Sequence, residues 1–298
     1  MPTKREKDEV TGRETTGHEW DGIRELDTPL PRWWVWTFIA CIIFSAVYVV
    51  LYPAIPTLSE ATAGTLGWSQ RDAIAEELAA RDEDRSVYYD QIADQDLGAI
   101  ASNATLMTFA LAGGKAAFAD NCAPCHGQAG GGRPGYPVLA DDDWLWGGTL
   151  DQIEQTIRVG VRSDHVKERF SEMPSFVDVL SAEERRDIAH YVRGQAFPSE
   201  PTPDRATKGQ LAYAENCAVC HGENAQGDED LGAPALNDAI WLYGSTVEEI
   251  TKQISKPIHG VMPAWVGRLD DATIKMLALY VHSLGGGLES PEGTPNGE

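Results

Sequence analysis

The chain has 298 residues, a length that favours two folded domains. Hydrophobic residues make up 42% of it and charged residues 23%, which excludes a wholly disordered or low-complexity chain. Acidic side chains outnumber basic ones by 46 to 24, and the net charge of −22 argues against nucleic acid as a partner, because such a surface repels phosphates. Five cysteines are too few for a scaffold held together by disulfides.

An uncharged run of residues from Trp33 to Tyr52 predicts one transmembrane helix. At about 1.5 Å per residue, a helix of this length crosses a hydrocarbon core. Tryptophans near its start and tyrosines near its end match the aromatic belts of membrane interfaces. A cleaved signal peptide is the alternative, but the run is longer than a typical signal core and begins only after residue 32.

The charges around this run predict its orientation. Residues 1–32 contain six lysines and arginines, whereas the twenty residues after Tyr52 contain only Arg71. Since the flank with more lysines and arginines stays on the cytoplasmic side, we expect a cytoplasmic N-terminus and export of the remaining chain into a bacterial periplasm. A second uncharged stretch, residues 97–114, is interpreted as a helix that packs within a folded domain. As a second span it would return everything after it to the cytoplasm.

An internal repeat becomes visible when the chain is compared with itself. Three groups of residues recur in the same order at offsets of 95, 97 and 89: Gly114–Cys122 with Gly209–Cys217, Pro137–Gly147 with Pro234–Gly244, and Met173-Pro174 with Met262-Pro263. Each half predicts a helix that ends at a cysteine pair, a loop rich in Gly and Pro, a short helix, a Met-Pro loop and a closing helix. The closing helices are expected at residues 181–195 and 270–284.

Matching places in the two repeats carry Cys-x-x-Cys-His sequences: Cys122, Cys125 and His126, then Cys217, Cys220 and His221. This is the attachment sequence of c-type haem, in which two thiols add to the haem vinyl groups and the adjoining histidine reaches the iron. A zinc site and a thioredoxin-like dithiol are the alternatives, yet neither requires a histidine after the second cysteine twice. The sequence therefore predicts two covalently bound haem c groups.

Met173 and Met262 are the predicted sixth ligands of the two irons, because they are the two methionines that the repeat matches. A thioether sulfur suits haem iron opposite a histidine and raises its reduction potential. The proline after each methionine stiffens the loop. Methionines that merely fill the core are the alternative. Which methionine serves which haem stays open, since duplicated lobes can exchange segments.

Other side chains are weaker candidates near the haems. Four histidines are rival axial ligands: His165, His190, His259 and His282. His165, His259 and Arg162 are alternatively candidates for contacts with haem propionates. In small c-type cytochromes a proline carbonyl commonly accepts a hydrogen bond from Nδ1 of the axial histidine, and Pro137 and Pro234 stand where that proline is expected; an ordinary loop proline is the alternative.

The expected architecture is mainly α, with one N-terminal transmembrane helix followed by two tandem class I cytochrome c-like haem domains. The expected segments are a cytoplasmic segment at 1–32, the membrane helix at 33–52, a periplasmic linker with a polar helix at 53–104, haem domains at 105–196 and 205–285, a Pro-rich connector at 197–204 and a disordered tail at 286–298.

The residues around the membrane run add a family resemblance. Trp20–Ile23, Pro29–Trp34, Leu51–Pro53 and Gly260–Trp265 resemble the di-haem subunit III of cbb3-type cytochrome c oxidases, and the resemblance covers nearly the whole chain. It implies a subunit that takes electrons from a donor cytochrome c. A mono-haem subunit then feeds the catalytic haem–copper subunit, where oxygen is reduced and protons are pumped. It also implies attachment through the four motif cysteines and axial ligation by His126, His221, Met173 and Met262.

Two protein ligands on each iron leave no position for a substrate, so we expect an electron relay without catalytic residues of its own. A free-standing membrane-anchored di-haem shuttle is one alternative. A di-haem peroxidase is another, but it needs one iron without its sixth ligand, and two equivalent Met-Pro loops argue against that. The acidic surface either steers a basic donor or keeps the protein soluble.

Overall fold

The computed structural model describes residues 5–199 and 204–289, and within them the chain is mainly helical, as predicted. The elements in chain order are β1 (Thr15–Trp20), β2 (Ile23–Leu26), α1 (Arg32–Leu51), α2 (Gln70–Asp94), α3 (Leu97–Ser102), α4 (Ala104–Asn121), α5 (Ala123–His126), α6 (Leu150–Val159), α7 (Ala182–Ala196), α8 (Arg205–Asn216), α9 (Ala218–His221), α10 (Val247–Ser255) and α11 (Asp271–His282). Parts of the predicted connector 197–204 and tail 286–298 lie outside the described residues. The chain divides between Asp84 and Arg85 into two compact units.

In the N-terminal unit, β1 and β2 form an antiparallel hairpin that the sequence analysis did not anticipate. Asp21 and Gly22 connect the strands, with φ of +47° and +83°. An Asp-Gly pair in this conformation is favoured in two-residue hairpins because its twist matches that of the strands. Across the strands, Arg24 pairs with Glu19 at 2.8 Å. The Asp-Gly pair was the signal available in the sequence.

Helix α1 coincides with the predicted membrane run. Every side chain in it is at least partly exposed although nearly all are apolar. An apolar helix exposed on all faces is stable where lipid replaces water, since all its interior backbone hydrogen bonds are made within the helix. Among the described residues this is the one helix long and apolar enough to cross a membrane. The prediction of a single N-terminal anchor is confirmed.

The second uncharged stretch packs within the C-terminal unit and is interrupted at Asn103. Asn103 ends α3 through its extended backbone, and its side chain accepts hydrogen bonds from the backbone N–H groups of Thr105 and Leu106, which caps α4. On α4 one stripe of residues at intervals of four is buried: Leu106, Ala110, Gly114 and Phe118. The stretch thus forms α3 and the first part of α4, and both helices bury apolar residues.

Six helices of the C-terminal unit form two three-helix lobes. The first lobe contains α4, α6 and α11, and its core includes Leu106, Ile157 and Leu277. The second lobe contains α7, α8 and α10, with Ile188, Tyr213 and Ile254 in its core. Each lobe therefore combines two helices of one sequence repeat with the closing helix of the other repeat.

Each exchanged closing helix makes an equivalent close contact with a glycine of the other repeat. Gly114 on α4 faces the backbone carbonyl of Met276 on α11, and Gly209 on α8 faces that of Asp187 on α7. The two glycines are equivalent in the repeat, and so are the two carbonyl residues. The same glycine thus lets two helix backbones approach closely in both lobes, each time with a helix of the opposite repeat.

Chain connectivity explains this arrangement. Only the short connector 197–204 lies between α7 and α8, and helices joined by a short connection pack against each other. Once α7 has paired with α8, α4 is left with α11 as its partner. The predicted domains at 105–196 and 205–285 follow the repeat, whereas the packed lobes do not. The closing helix of the first repeat packs with the helices of the second repeat, and the closing helix of the second repeat packs with those of the first.

Candidate haem sites

The first Cys-x-x-Cys-His sequence lies where α4 ends and the single turn α5 begins. The N–H groups of Cys125 and His126 both bond to the carbonyl of Cys122, at 3.1 and 2.9 Å. This turn brings both thiols and the imidazole to one side of the chain. Cys125 is exposed, whereas burial raises the pKa of the Cys122 thiol to about 11. Neither forms a disulfide, so both thiols stay available for thioether bonds.

The second motif repeats this local structure at the end of α8. Cys220 and His221 bond through their N–H groups to the Cys217 carbonyl at 3.1 and 3.0 Å. Cys220 is exposed, and burial raises the pKa of Cys217 to about 11. The glycine after each histidine, Gly127 or Gly222, has a positive φ of 75° or 80° and lets the chain turn away immediately. The two motifs offer the same donor set.

Each motif histidine is oriented by a proline carbonyl, as predicted. Nδ1 of His126 lies 3.1 Å from the Pro137 carbonyl oxygen, and Nδ1 of His221 lies 2.9 Å from that of Pro234. Burial lowers the pKa of both rings, although the carbonyl contact opposes that shift. A neutral ring whose Nδ1–H donates to a carbonyl presents Nε2 as the ligand atom.

The two methionines lie against different lobes. Met262 is half-buried on the core of the first lobe, together with Cys122 and Trp144. Met173 packs on the core of the second lobe, which contains Cys217. Each methionine thus lies with the cysteine motif of the opposite repeat.

Backbone hydrogen bonds fix both Met-Pro loops on these lobes. Met262 and Val161 exchange two N–H to carbonyl bonds of 2.9 Å. Beyond the methionines, the N–H of Trp265 donates to Ile157 and that of Phe176 to Ile254, both at 3.1 Å. These last two bonds are equivalent in the repeat, so the exchange has the same geometry at both sites.

The remaining histidines have other surroundings. Nδ1 of His165 accepts from the Lys167 N–H at 3.1 Å, and Nε2 of His282 lies 3.0 Å from the Leu288 carbonyl. His190 is half-buried on α7, where burial lowers its pKa. Nε2 of His259 is buried without a partner among the described residues, so His259 keeps its sequence-based assignment as a propionate candidate.

Arg162 makes contacts that the sequence did not suggest. Its Nε donates to the Gly260 carbonyl and its Nη1 to the Ser171 carbonyl, both at 2.6 Å. The side chain therefore touches the two loops that carry Met262 and Met173. No local pattern in the sequence points to these partners, since Gly260 lies 98 residues away along the chain.

The donor set of each lobe fits a c-type haem: two free thiols, a neutral histidine with Nδ1 oriented, and a methionine sulfur against the same core. Soft sulfur and imidazole are suitable axial ligands for low-spin haem iron. A structural zinc site takes four ligands, and among the described residues no group of three or more His, Cys, Asp or Glu side chains is placed to hold a metal ion. The arrangement therefore favours haem over the alternatives left open by the sequence.

Comparison with known proteins identifies both parts of the chain. Residues 12–59 match the family described as the N-terminal domain of cytochrome oxidase-cbb3, FixP. Residues 109–192 and 204–281 match the family described as cytochrome C oxidase, cbb3-type, subunit III. The two matched segments of the second family follow the sequence repeat and mark two tandem c-type haem-binding domains.

Full-length relatives agree with these matches. The cbb3-type cytochrome c oxidase subunit FixPc of Rhizobium leguminosarum bv. viciae is 49% identical over 282 residues, which cover 94% of this chain and 98% of the relative. FixP of Bradyrhizobium diazoefficiens is 48% identical, with 96% and 100% covered. CcoP of Azospirillum brasilense is 46% identical, with 95% and 99% covered.

Proposed function

Because the chain belongs to the family of subunit III of cbb3-type cytochrome c oxidases, we propose that it is the membrane-anchored di-haem cytochrome that carries electrons into such an oxidase. The observation that carries the proposal is the duplicated site, in which each lobe presents a Cys-x-x-Cys-His motif and a methionine on one core. When bound, a haem supplies reversible one-electron transfer. The chain's own residues supply attachment, ligands and exclusion of water.

The proposed ligand sets are crossed between the repeats. The first haem would be bonded to Cys122 and Cys125, with His126 and Met262 as the ligands of its iron; the second would be bonded to Cys217 and Cys220, with His221 and Met173 as the ligands. The support for this pairing is the position of each methionine on the lobe that contains the opposite repeat's cysteine motif. Two thioether-bonded haems are part of the same proposal.

With two protein ligands on each iron, no coordination position is left for a substrate, so this chain relays electrons and does not itself reduce oxygen. We assign the entry of electrons to a donor cytochrome c and their exit to the mono-haem subunit. That subunit passes them to the haem–copper subunit, which reduces oxygen and pumps protons during respiration. The family membership supports these partners.

The anchor and its charges support a location in the bacterial inner membrane. Helix α1 spans the bilayer once in this proposal, with the haem lobes in the periplasm. The excess of lysine and arginine before α1 supports a cytoplasmic N-terminus. Export to the periplasm also suits cysteines that must become thioethers, and none of the five is consumed by a disulfide.

Purification from native membranes tests the function. A C-terminally tagged chain solubilised in mild detergent should bring down haem b, copper and a mono-haem cytochrome, and the eluate should oxidise a reduced cytochrome c with oxygen. Membranes with the untagged chain are the control. If the tagged chain carries its haems but elutes without haem b or copper, it is a free-standing shuttle and the oxidase assignment is wrong.

A further inference from the structure

One arginine connects the two Met-Pro loops. Arg162 donates from Nε to the carbonyl of Gly260 and from Nη1 to the carbonyl of Ser171, both at 2.6 Å. Gly260 stands two residues before Met262, and Ser171 stands two residues before Met173. The two acceptors are equivalent in the repeat, since they share the offset of 89 residues that relates the methionines. A single side chain thus holds the same point of both loops.

The backbone around Arg162 is itself fixed on the first methionine loop. Its neighbour Val161 exchanges two hydrogen bonds of 2.9 Å with Met262. The N–H of Arg162 donates to the carbonyl of Arg169 at 2.9 Å, and the N–H of Arg169 donates to Gly160 at 3.1 Å. These bonds hold Arg162 at a φ of +48°, which residues with a side chain rarely adopt. A non-glycine residue held in this conformation is a frequent feature of functional sites.

The chemistry of guanidinium suits a bridge between two carbonyls. Its donors lie in one rigid plane, so Nε and Nη1 keep a fixed separation and direction. Hydrogen bonds from a charged donor are shorter and stronger than neutral ones, and both bonds here are short. A lysine has one nitrogen and does not reproduce two separated, coplanar donors.

The bridge crosses the boundary between the lobes. Met262 lies on the first lobe and Met173 on the second, so the two carbonyls belong to loops that serve different haems. If either Met-Pro loop shifts, its carbonyl moves away from the Arg162 guanidinium, which is still hydrogen-bonded to the carbonyl of the other loop. The positions of the two sulfur atoms are therefore linked through Arg162.

We propose that Arg162 is a positioning residue shared by both axial methionines, which keeps both sulfur atoms at their irons and couples the ligation of the two haems. The proposal rests on the crossed haem ligation of the proposed function. It assigns Arg162 to the loop carbonyls and not to a haem propionate, the alternative raised from the sequence.

Arg162→Gln in the full-length, detergent-solubilised protein tests the proposal. The readout is the weak charge-transfer absorption that ferric haem shows only with a methionine sulfur ligand, followed for both haems together with their two midpoint potentials. We expect loss of most of this absorption at both haems and a fall of both potentials. Mass spectrometry checks that both haems are attached in the variant and in the unsubstituted protein. Absence of haem from the unsubstituted protein would refute the proposed function, and this result is recognised separately.

The matched control is Arg193→Gln. Arg193 also donates through Nη1 to a backbone carbonyl, that of Ser245 at 2.6 Å, but both residues lie outside the Met-Pro loops. We expect this variant to keep both methionine absorptions. If Arg162→Gln does not assemble, Arg162→Lys decides the question, because it keeps the charge but not the two coplanar donors. We expect weakened absorption at both haems in this variant as well.

Three outcomes would overturn the proposal. Intact methionine absorption at both haems in the assembled Arg162 variants would show that the bridge does not hold the sulfurs. Loss of the methionine absorption at one haem alone would show that Arg162 does not position both methionines. Shifted potentials with intact absorption would assign Arg162 to the propionates instead.

Discussion

The methionines show best how single residues act in this protein. Met173 and Met262 are both half-buried, and both stand before a proline in a loop held by backbone hydrogen bonds. A free core methionine has no need of such a loop. What distinguishes them is the lobe on which each one lies, since each is packed with the cysteine motif of the other repeat.

Replacement of each methionine tests the crossed ligation. Met262→Leu removes the sulfur but keeps the volume, and should abolish the methionine absorption of the haem attached to Cys122 while leaving the other haem unchanged. Met173→Leu should do the reverse. Met262→His should keep six-coordinate iron and lower the potential of the same haem. Absorption spectra and redox titrations measure these changes.

The two haems are told apart in chains in which one pair of motif cysteines is replaced by alanine. Met107→Leu is the control, because Met107 also packs on the core of the first lobe but lies on α4 and not in a Met-Pro loop. It should leave both absorptions intact. If Met173→Leu removes the sulfur ligand of the haem at Cys122, each methionine serves the haem of its own repeat and the crossed pairing is wrong.

At the scale of elements, the repeat dictates equivalent helix starts. Thr149 caps α6 and Thr246 caps α10. The hydroxyl of each threonine accepts a hydrogen bond from the backbone N–H of the residue three positions later, Gln152 or Glu249. The side-chain oxygen of that later residue accepts in turn from the backbone N–H of the threonine. Ser181 and Glu184 form the same capping box at the start of α7. Local capping signals thus predict where helices begin. They do not predict which helices pack together.

Alanine at the helix-crossing glycines tests the exchange of closing helices. A Cβ at Gly114 would clash with the Met276 carbonyl and lie 2.7 Å from Cβ of Tyr280. Such overpacking against backbone costs about 1–3 kcal/mol. The helical preference of alanine offsets only about 1 kcal/mol of it. We therefore expect Gly114→Ala to lower the melting temperature of the first lobe, followed through the haem absorption at Cys122.

Gly209→Ala should destabilise the second lobe for the same reason, since its Cβ would meet the Asp187 carbonyl. Gly98→Ala is the matched control: Gly98 is also helical, and its added Cβ would touch only the Asp96 side chain at 3.3 Å. Unchanged melting of Gly114→Ala relative to this control would contradict the close approach of α4 and α11.

At the scale of the whole molecule, charge and apolarity divide the chain along its length. A segment with six lysines and arginines precedes the exposed apolar helix α1, and the haem-binding domains follow it. Orientation in the membrane depends on the positive charges beside the span and little on the acidic residues. The strongly acidic overall charge therefore does not oppose the proposed export of the lobes.

Protease accessibility tests this orientation. In intact spheroplasts, added protease should digest a tag at the C-terminus and leave a tag at the N-terminus protected until the membrane is lysed. Lysed spheroplasts, in which both tags are digested, are the control. Digestion of the N-terminal tag in sealed spheroplasts would place residues 1–32 outside and reverse the proposed topology.

The sequence by itself determined the features that depend on neighbouring residues. A run of twenty uncharged residues predicted α1, and the spacing of cysteines and histidine predicted two haem attachment sites, each of which the structure forms as a single helical turn. Even the contact of each motif histidine with a proline carbonyl was foreseen, at 3.1 and 2.9 Å. These features need only a short stretch of chain, so local stereochemistry is sufficient to specify them.

Only the tertiary structure decided which repeat completes which lobe. The closing helices α7 and α11 descend from one duplicated pattern, and either could cover α4 as far as hydrophobic spacing is concerned. The short connection between α7 and α8 favours their pairing. Helix α11 therefore packs against α4, and Met262 lies with it on the first lobe. The bridge made by Arg162 follows from this exchange. Long-range pairing of similar surfaces depends on chain connectivity and packing, which no local pattern of residues records.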